Sequence, residues 1–201
     1  MKKLLMMLMM SVFLLTMTVT AEAGDNMASE GRPKVAVIMD TPLVFGDDDK
    51  IKEAIVTKVQ EWFPSNKYEI LDFDTVQTLV TEYREENDMV VYEENTQTYK
   101  PLKVTDIEQV LGELNPDLVL NMRCTSGRGK TVMTAFSIRT KVNVTTNIRV
   151  LDMKTKKYIQ RYEKTEAVGS GDMWGNSSSS RSYRKGLLKG IEGFKPDHNL
   201  Y

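Results

Sequence analysis

The sequence predicts an α/β fold: one domain over residues 34–195, with a four- or five-stranded mixed sheet, helices packed on it, and a β-hairpin and a last helix at its C-terminal end. Three observations predict it. Lys34-Val-Ala-Val-Ile-Met39 is an unbroken apolar run of strand length, which suits a central strand covered on both faces. Strand-like and helix-like stretches alternate at the front of the chain, which favours parallel pairing through crossovers. Towards the end, Val142, Val144, Thr146, Ile148 and Val150 alternate with Lys141, Asn143, Thr145, Asn147 and Arg149, the period of a strand with one buried and one wet face.

Residues 1–23 read as a secretory signal peptide. Lys2 and Lys3 form the positive end, Leu4 to Val19 is apolar, and Ala21-Glu22-Ala23 places small residues for cleavage before Gly24. The apolar run is about 16 residues, short of the ~20 that span a bilayer. No later segment is apolar enough to span one. The expected location is therefore periplasmic or secreted. Residues 24–33 are small and polar, a flexible leader.

The elements then follow in order. Ile51, Ala54, Ile55, Val59 and Trp62 share one helical face, and Asp47-Asp48-Asp49 supplies negative charge at that helix's start. Lys67–Asp72 reads as a second strand. Asp74 or Thr75 can cap a second helix whose inner face is Val76, Leu79, Val80 and Tyr83. Glu85–Tyr99 is polar and aperiodic, and reads as a loop. Val104–Leu114 is a third helix, stopped by Asn115-Pro116. Asp117–Cys124 is a strand, Thr125–Lys130 a Gly-rich basic connection, and Ile138–Leu151 with Tyr158–Val168 a hairpin turning at Asp152–Lys157. Gly169–Ser180 is a Gly/Ser loop, Arg181–Phe194 the last helix, and residues 196–201 a tail.

Charge is unevenly distributed. Residues 47–113 hold 17 acidic and 7 basic side chains, whereas residues 121–165 hold 11 basic and 2 acidic ones. Arg139, Lys141 and Arg149 fall on one side of their strand, and Lys154, Lys156 and Lys157 lie at its turn. This basic strip is a candidate contact for an anionic polymer or surface. It has no interleaved aromatic residues, so nucleic acid is not the expected partner.

Catalytic constellations are scarce. The single histidine, His198, is three residues from the end, which disfavours Ser-His or Cys-His nucleophilic chemistry and an ordinary zinc site. Gly129-Lys130-Thr131 resembles the end of a phosphate loop, but Cys124 stands where its first glycine belongs, and the predicted context is strand–loop–strand. Paired carboxylates of a hydrolase remain a possible reading, with no spacing that singles out a pair. Cys124 cannot form an internal disulfide and reads as a buried thiol. No metal and no cofactor is expected.

Trp174 stands out in the Gly/Ser loop, because tryptophan is enriched at binding hot spots. With Arg181, Tyr183 and Arg184 it forms a candidate partner contact; the alternative is a lid over the core. The expected function is a non-enzymatic envelope protein that acts by binding an envelope protein or itself.

Several motifs carry a resemblance. These are the opening strand 34–39, the Asp117-Leu-Val-Leu120 strand after an Asn-Pro stop, and the hairpin from Val144 to Ile159 with its Asp152-Met-Lys-Thr-Lys-Lys157 turn. Together with the closing helix they resemble exported envelope domains of the curli-secretion lipoproteins, the lipoprotein activators of penicillin-binding proteins, and the N-terminal domain of the Tol-system propeller protein. The resemblance implies envelope assembly through protein contacts. Lys156 stands where those turns have glycine. The cysteine that would carry a lipid anchor is absent at Ala23-Gly24-Asp25.

Overall fold

The computed structural model describes residues 31–40, 49–93, 96–127, 130–134, 137–170 and 179–199. The predicted signal peptide, residues 24–30 of the leader, Asp47, Asp48 and Trp174 lie outside them.

Strand β1 (Lys34–Asp40) is central, as its apolar run predicts. Helix α1 (Asp49–Trp62) buries Ile51, Ile55, Val59 and Trp62. A short β2 (Glu69–Ile70) lies parallel to β1 at the edge. Helix α2 (Phe73–Glu86) begins one turn earlier than expected. Asp72, not Asp74 or Thr75, is its cap, with Oδ2 accepting from the Thr75 N–H at 2.8 Å and the Thr75 hydroxyl at 2.7 Å.

The segment expected as a loop over residues 85–99 is ordered instead. Its first residues extend α2, and strands β3 (Val90–Glu93) and β4 (Thr96–Tyr99) form a separate two-stranded sheet. Helix α3 (Val104–Leu111) ends in a 3-10 turn, and Asn115 in the left-handed region (φ 48°) breaks it.

Strand β5 (Leu118–Ser126) runs parallel to β1 and antiparallel to β7 (Ser137–Asp152). Strand β6 (Lys130–Thr134) falls where a loop was expected to end, and it pairs with the first residues of β7. Lys141 pairs with Lys130 on one side and Gly169 on the other, so β5 and β6 lie end to end along the same side of β7. Strand β8 (Lys157–Ser170) takes the opposite side. Helix α4 (Ser179–Glu192) closes the chain.

Two cores result, one on each face of the sheet. Val35, Val37, Leu120, Met122, Val144, Ile148 and Val150 pack under α1 and α4, with Ile55, Tyr183, Leu187 and Ile191. Ala36, Ile38, Val119 and Leu151 pack under α2 and α3, with Val76, Val80, Ile107 and Leu111. α4 carries small residues at four-residue steps, Ser182, Gly186 and Gly190, all buried against β7 and β8. The tail is tied down: Gln160 Nε2 donates to the Lys195 carbonyl at 2.7 Å, and the Asp197 N–H donates to Gln160 Oε1 at 3.1 Å.

At the β7–β8 turn, Asp152 Oδ1 accepts the Lys154 N–H at 2.8 Å, and its Oδ2 accepts the Thr155 hydroxyl at 2.8 Å. Lys156 takes φ 58°, the left-handed conformation that makes glycine the usual residue in such a turn. The carboxyl's own desolvation works to raise it, and the bonds from Thr155 and Lys154 outweigh that, leaving Asp152 below its ordinary range. A carboxylate lowered in the folded state contributes stability above its unfolded value, near 3.9, and loses it as pH falls through the folded value. Asp152→Ala therefore lowers the denaturant midpoint at pH 7, and the deficit is smaller at pH 2. Unfolding curves at the two pH values check this.

Candidate binding site on the open sheet face

The helices leave part of the sheet uncovered. On the side that carries α2 and α3, the β5, β7 and β8 strands extend beyond those helices and present polar side chains to solvent. Alternation dictates which ones. On β5, Asn121, Arg123 and Thr125 interleave with the buried Leu120, Met122 and Cys124. On β7, Asn143, Thr145, Asn147 and Arg149 interleave with Val144, Thr146, Ile148 and Val150.

Register turns these positions into rows across the sheet. Asp40, Arg123, Asn147 and Glu163 form one row, and Asn121, Arg149 and Arg161 a second. Thr125, Thr145 and Thr165 form a third, in which the Thr145 and Thr165 hydroxyls are hydrogen-bonded at 2.9 Å. Asn147 links the first two rows: its Oδ1 accepts from Arg149 Nε at 3.0 Å, and its Nδ2 donates to Glu163 Oε2 at 2.9 Å.

A β-bulge completes the site. Val150 faces Gln160 and Leu151 faces Tyr158, so Ile159 is the extra residue on β8. Under strict alternation Tyr158 and Arg161 would point to opposite faces. The bulge puts them on one, where the guanidiniums of Arg149 and Arg161 lie 5.7 and 5.6 Å from the Tyr158 ring centre.

Where this face meets the start of α3 there is a pocket of about 250 Å³. Asp40, Asn121, Arg123, Asn147, Arg149 and Tyr158 line it, with Thr125, Thr145, Pro101 and Leu102 at its margins. Asp40 forms a buried ion pair with Arg84 of α2; their side chains are 6% and 1% exposed. Arg84 also lies over the Tyr99 ring of β4, 4.7 Å from its centre. Burial pushes the Asp40 carboxyl above its ordinary range, and Arg84 and then Arg123 pull it part of the way back.

The predicted basic strip does not form one patch. Arg149 belongs to the pocket. Lys141 is exposed ~13 Å beyond the threonine row. Arg139 lies further along β7, and its side chain is outside those described. Lys154 and Lys157 are exposed at the turn, and Lys156 is bonded across to Glu108 of α3 at 2.5 Å.

The second set of predicted residues also divides. Tyr183 is fully buried, and its hydroxyl donates to the Cys124 carbonyl at 3.3 Å. Its ring is part of the core because α4 turns it inward with Leu187 and Ile191, which removes it from any surface contact. Arg181 is exposed and Arg184 half-buried on the same helix.

Asp40, Arg84, Arg123 and Tyr158 were not singled out from the sequence. Arg84 continues the Val76–Val80 stripe at a four-residue step, and Arg123 and Asn121 are the polar half of an alternation. Those signals were present. The bulge that re-aims Tyr158 leaves no mark in composition or period.

Two groups that catalysis would need are otherwise engaged. His198 Nδ1 lies 3.0 Å from the Tyr68 hydroxyl, and the ring packs against Phe63 and Tyr68, so His198 is held where fraying was expected. Burial pushes the Cys124 thiol up to about 12, and its Sγ donates to Thr146 Oγ1 at 3.8 Å. Cys124 should therefore resist a maleimide at pH 8 for hours in the folded protein and react within minutes in denaturant. Mass spectrometry of timed samples reads this. Among the described residues no cluster of three His, Cys, Asp or Glu side chains could hold a metal ion, and no helix is long and apolar enough to cross a membrane.

No family model and no curated protein matches the chain. Solved structures with a similar course do exist. They include the lipoprotein GNA1162 from Neisseria meningitidis (15% identity, 80% of this chain and 95% of that one, TM-score 0.37). Others are the hypothetical protein CT253 from Chlamydia trachomatis (9%, 80% and 94%, 0.38) and the LpoB C-terminal domain from Salmonella enterica (6%, 67% and 82%, 0.32). At these scores the likeness carries no function to this chain.

Proposed function

We propose that the protein is exported, loses residues 1–23, and acts in the cell envelope without catalysis, by docking its open sheet face on a partner protein with an acidic surface. The observation that supports this most is the face itself: three registered rows of amide, hydroxyl and guanidinium groups on a rigid sheet, with Arg123, Arg149 and Arg161 outnumbering Glu163. Hydrogen-bonded strands hold such groups in place before contact, which lowers the ordering cost of binding. Trp174, which lies outside the described residues, and Arg181 and Arg184 on α4 are kept as a second contact in the same proposal.

A photo-cross-linking residue at Thr165, at the β8 edge of the face, tests the docking reading in cells. One discrete cross-linked partner is expected, lost on charge reversal of Arg161. A cross-link at Trp174 with none at Thr165 overturns the choice of face. Export is tested on the same material: an N-terminus at Gly24 is expected, and intact Met1 on protein from the cytosol overturns it.

One observation favours a second reading, the binding of an anionic polymer. Lys130 and Lys141 are directly opposed on the β6–β7 ladder, an arrangement that repels and that an anion would relieve. Retention on a polyanionic matrix at physiological salt would support it, because weak surface attraction is screened there.

A further inference from the structure

We infer that the pocket between β1, β5, β7 and the start of α3 is a binding site for a single carboxylate group. The inference rests on the reading that the open face is the binding surface, and names the chemistry of its deepest part.

The argument begins with Arg123. Its side chain is half-buried in the pocket wall, yet makes no hydrogen bond among the described residues. None of its guanidinium nitrogens is among the buried atoms left without a partner, so they stay within reach of a ligand that enters the pocket. The one carboxylate in the pocket, Asp40, is already matched by Arg84. Arg149 uses Nε on Asn147. Its terminal amino groups make no hydrogen bond among the described residues. Arg123 and Arg149 sit on neighbouring strands one register step apart, because Asn121 faces Arg149 and Arg123 faces Asn147. That diagonal sets their Cβ atoms ~7 Å apart on one face. Two forked donors at that spacing converge on a planar, two-oxygen acceptor between them.

The surroundings choose among anions. Asp40 lines the pocket, and Glu163 stands directly behind Asn147. Asp40 is neutralised by Arg84, but Glu163 repels a bound anion and penalises the second charge of a phosphate more than the single charge of a carboxylate. Asn121, Thr125 and Thr145 add amide and hydroxyl groups beside the cations, and Pro101, Leu102 and Tyr158 supply an apolar wall. The volume suits one small group. The carboxylate could come from a peptide C-terminus or from an acidic sugar.

Titration of the purified chain by NMR tests the site, with N-acetylalanine, glucuronate and inorganic phosphate as separate probes. Saturable binding of at least one carboxylate, tighter than that of phosphate, is expected, and the stronger of the two identifies the source. Arg149→Gln and Arg123→Gln should each weaken it by about tenfold, while Lys157→Gln leaves it unchanged. Arg149 is exposed, so its variant keeps the wild-type melting temperature and reports on binding alone. Phosphate binding more tightly than both carboxylates, or affinity that both arginine variants retain, overturns the inference. So does the absence of saturation by any probe. If the Thr165 cross-link persists in Arg149→Gln and Arg123→Gln while no carboxylate binds, the pocket inference fails and the docking reading stands.

Discussion

Asp40→Asn should be the most damaging conservative substitution in the protein, lowering stability by about 3–5 kcal/mol. It keeps the shape and removes the charge that balances Arg84, whose side chain is 1% exposed. A guanidinium cannot shed its proton to escape burial. The reverse deletion should cost less. In Arg84→Met the orphaned group is Asp40, which burial already pushes towards the protonated form. Without Arg84 its folded value rises further above the unfolded one. A raised carboxyl contributes stability below its unfolded value, near 3.9, and loses it as pH rises through the folded value. The deficit of Arg84→Met is therefore smaller at pH 4 than at pH 7, whereas that of Asp40→Asn persists. Denaturant unfolding of both variants at the two pH values, with the pair Asp40→Leu/Arg84→Met as the apolar replacement, measures the asymmetry. Equal costs at pH 7 would contradict the account. Typical domains have only ~5–15 kcal/mol to lose.

The second large effect is expected on α4. A Cβ added at Gly186 would stand 2.7 Å from Val144 Cβ, and one at Gly190 would stand 2.8 Å from Thr146 Cβ. Both neighbours are on β7, which β5 and β8 hold from either side, so the strand cannot retreat. Alanine at either position should cost about 1–3 kcal/mol by overpacking, even though it improves helix propensity by ~1 kcal/mol. The double variant should approach the sum. Gly112→Ala is the control: its Cβ would meet nothing within 4 Å, and its backbone is right-handed helical (φ −56°, ψ −38°). That change should raise stability by about 0.4–1 kcal/mol through the unfolded chain. Thermal melts of the four variants decide the matter.

The two regions differ in how far the sequence disclosed them. The helices on either face were legible because Ile51–Ile55–Val59 and Ile107–Leu111 repeat at helical spacing, and the hairpin was legible because β7 alternates for most of its length. β6 was missed because Lys130–Thr134 is short and mixed, and acquires its conformation from β7. The β3–β4 hairpin was missed because Glu85–Tyr99 lacks a period of either kind; its position under Arg84, with Tyr99 against the guanidinium, is a tertiary effect. Arg149 was found because its alternation is local. Its neighbours in the pocket come from β1, the segment before α3, β5 and β8, and no local window joins them. The glycine stripe of α4 was visible as composition, but its meaning depends on how closely a helix lies on a strand.

The extra residue at Ile159 makes the hairpin a matter of parity. Removing Ile159 alone would leave Tyr158 opposite Leu151 and two positions from Arg161, on the same side of the sheet by plain alternation, and would take away only the local bend. Removing a second residue would reverse the parity and turn Tyr158 to the other side, away from Arg149. Loss of the one extra residue should therefore spare the pocket, and loss of two should silence it while leaving the fold intact.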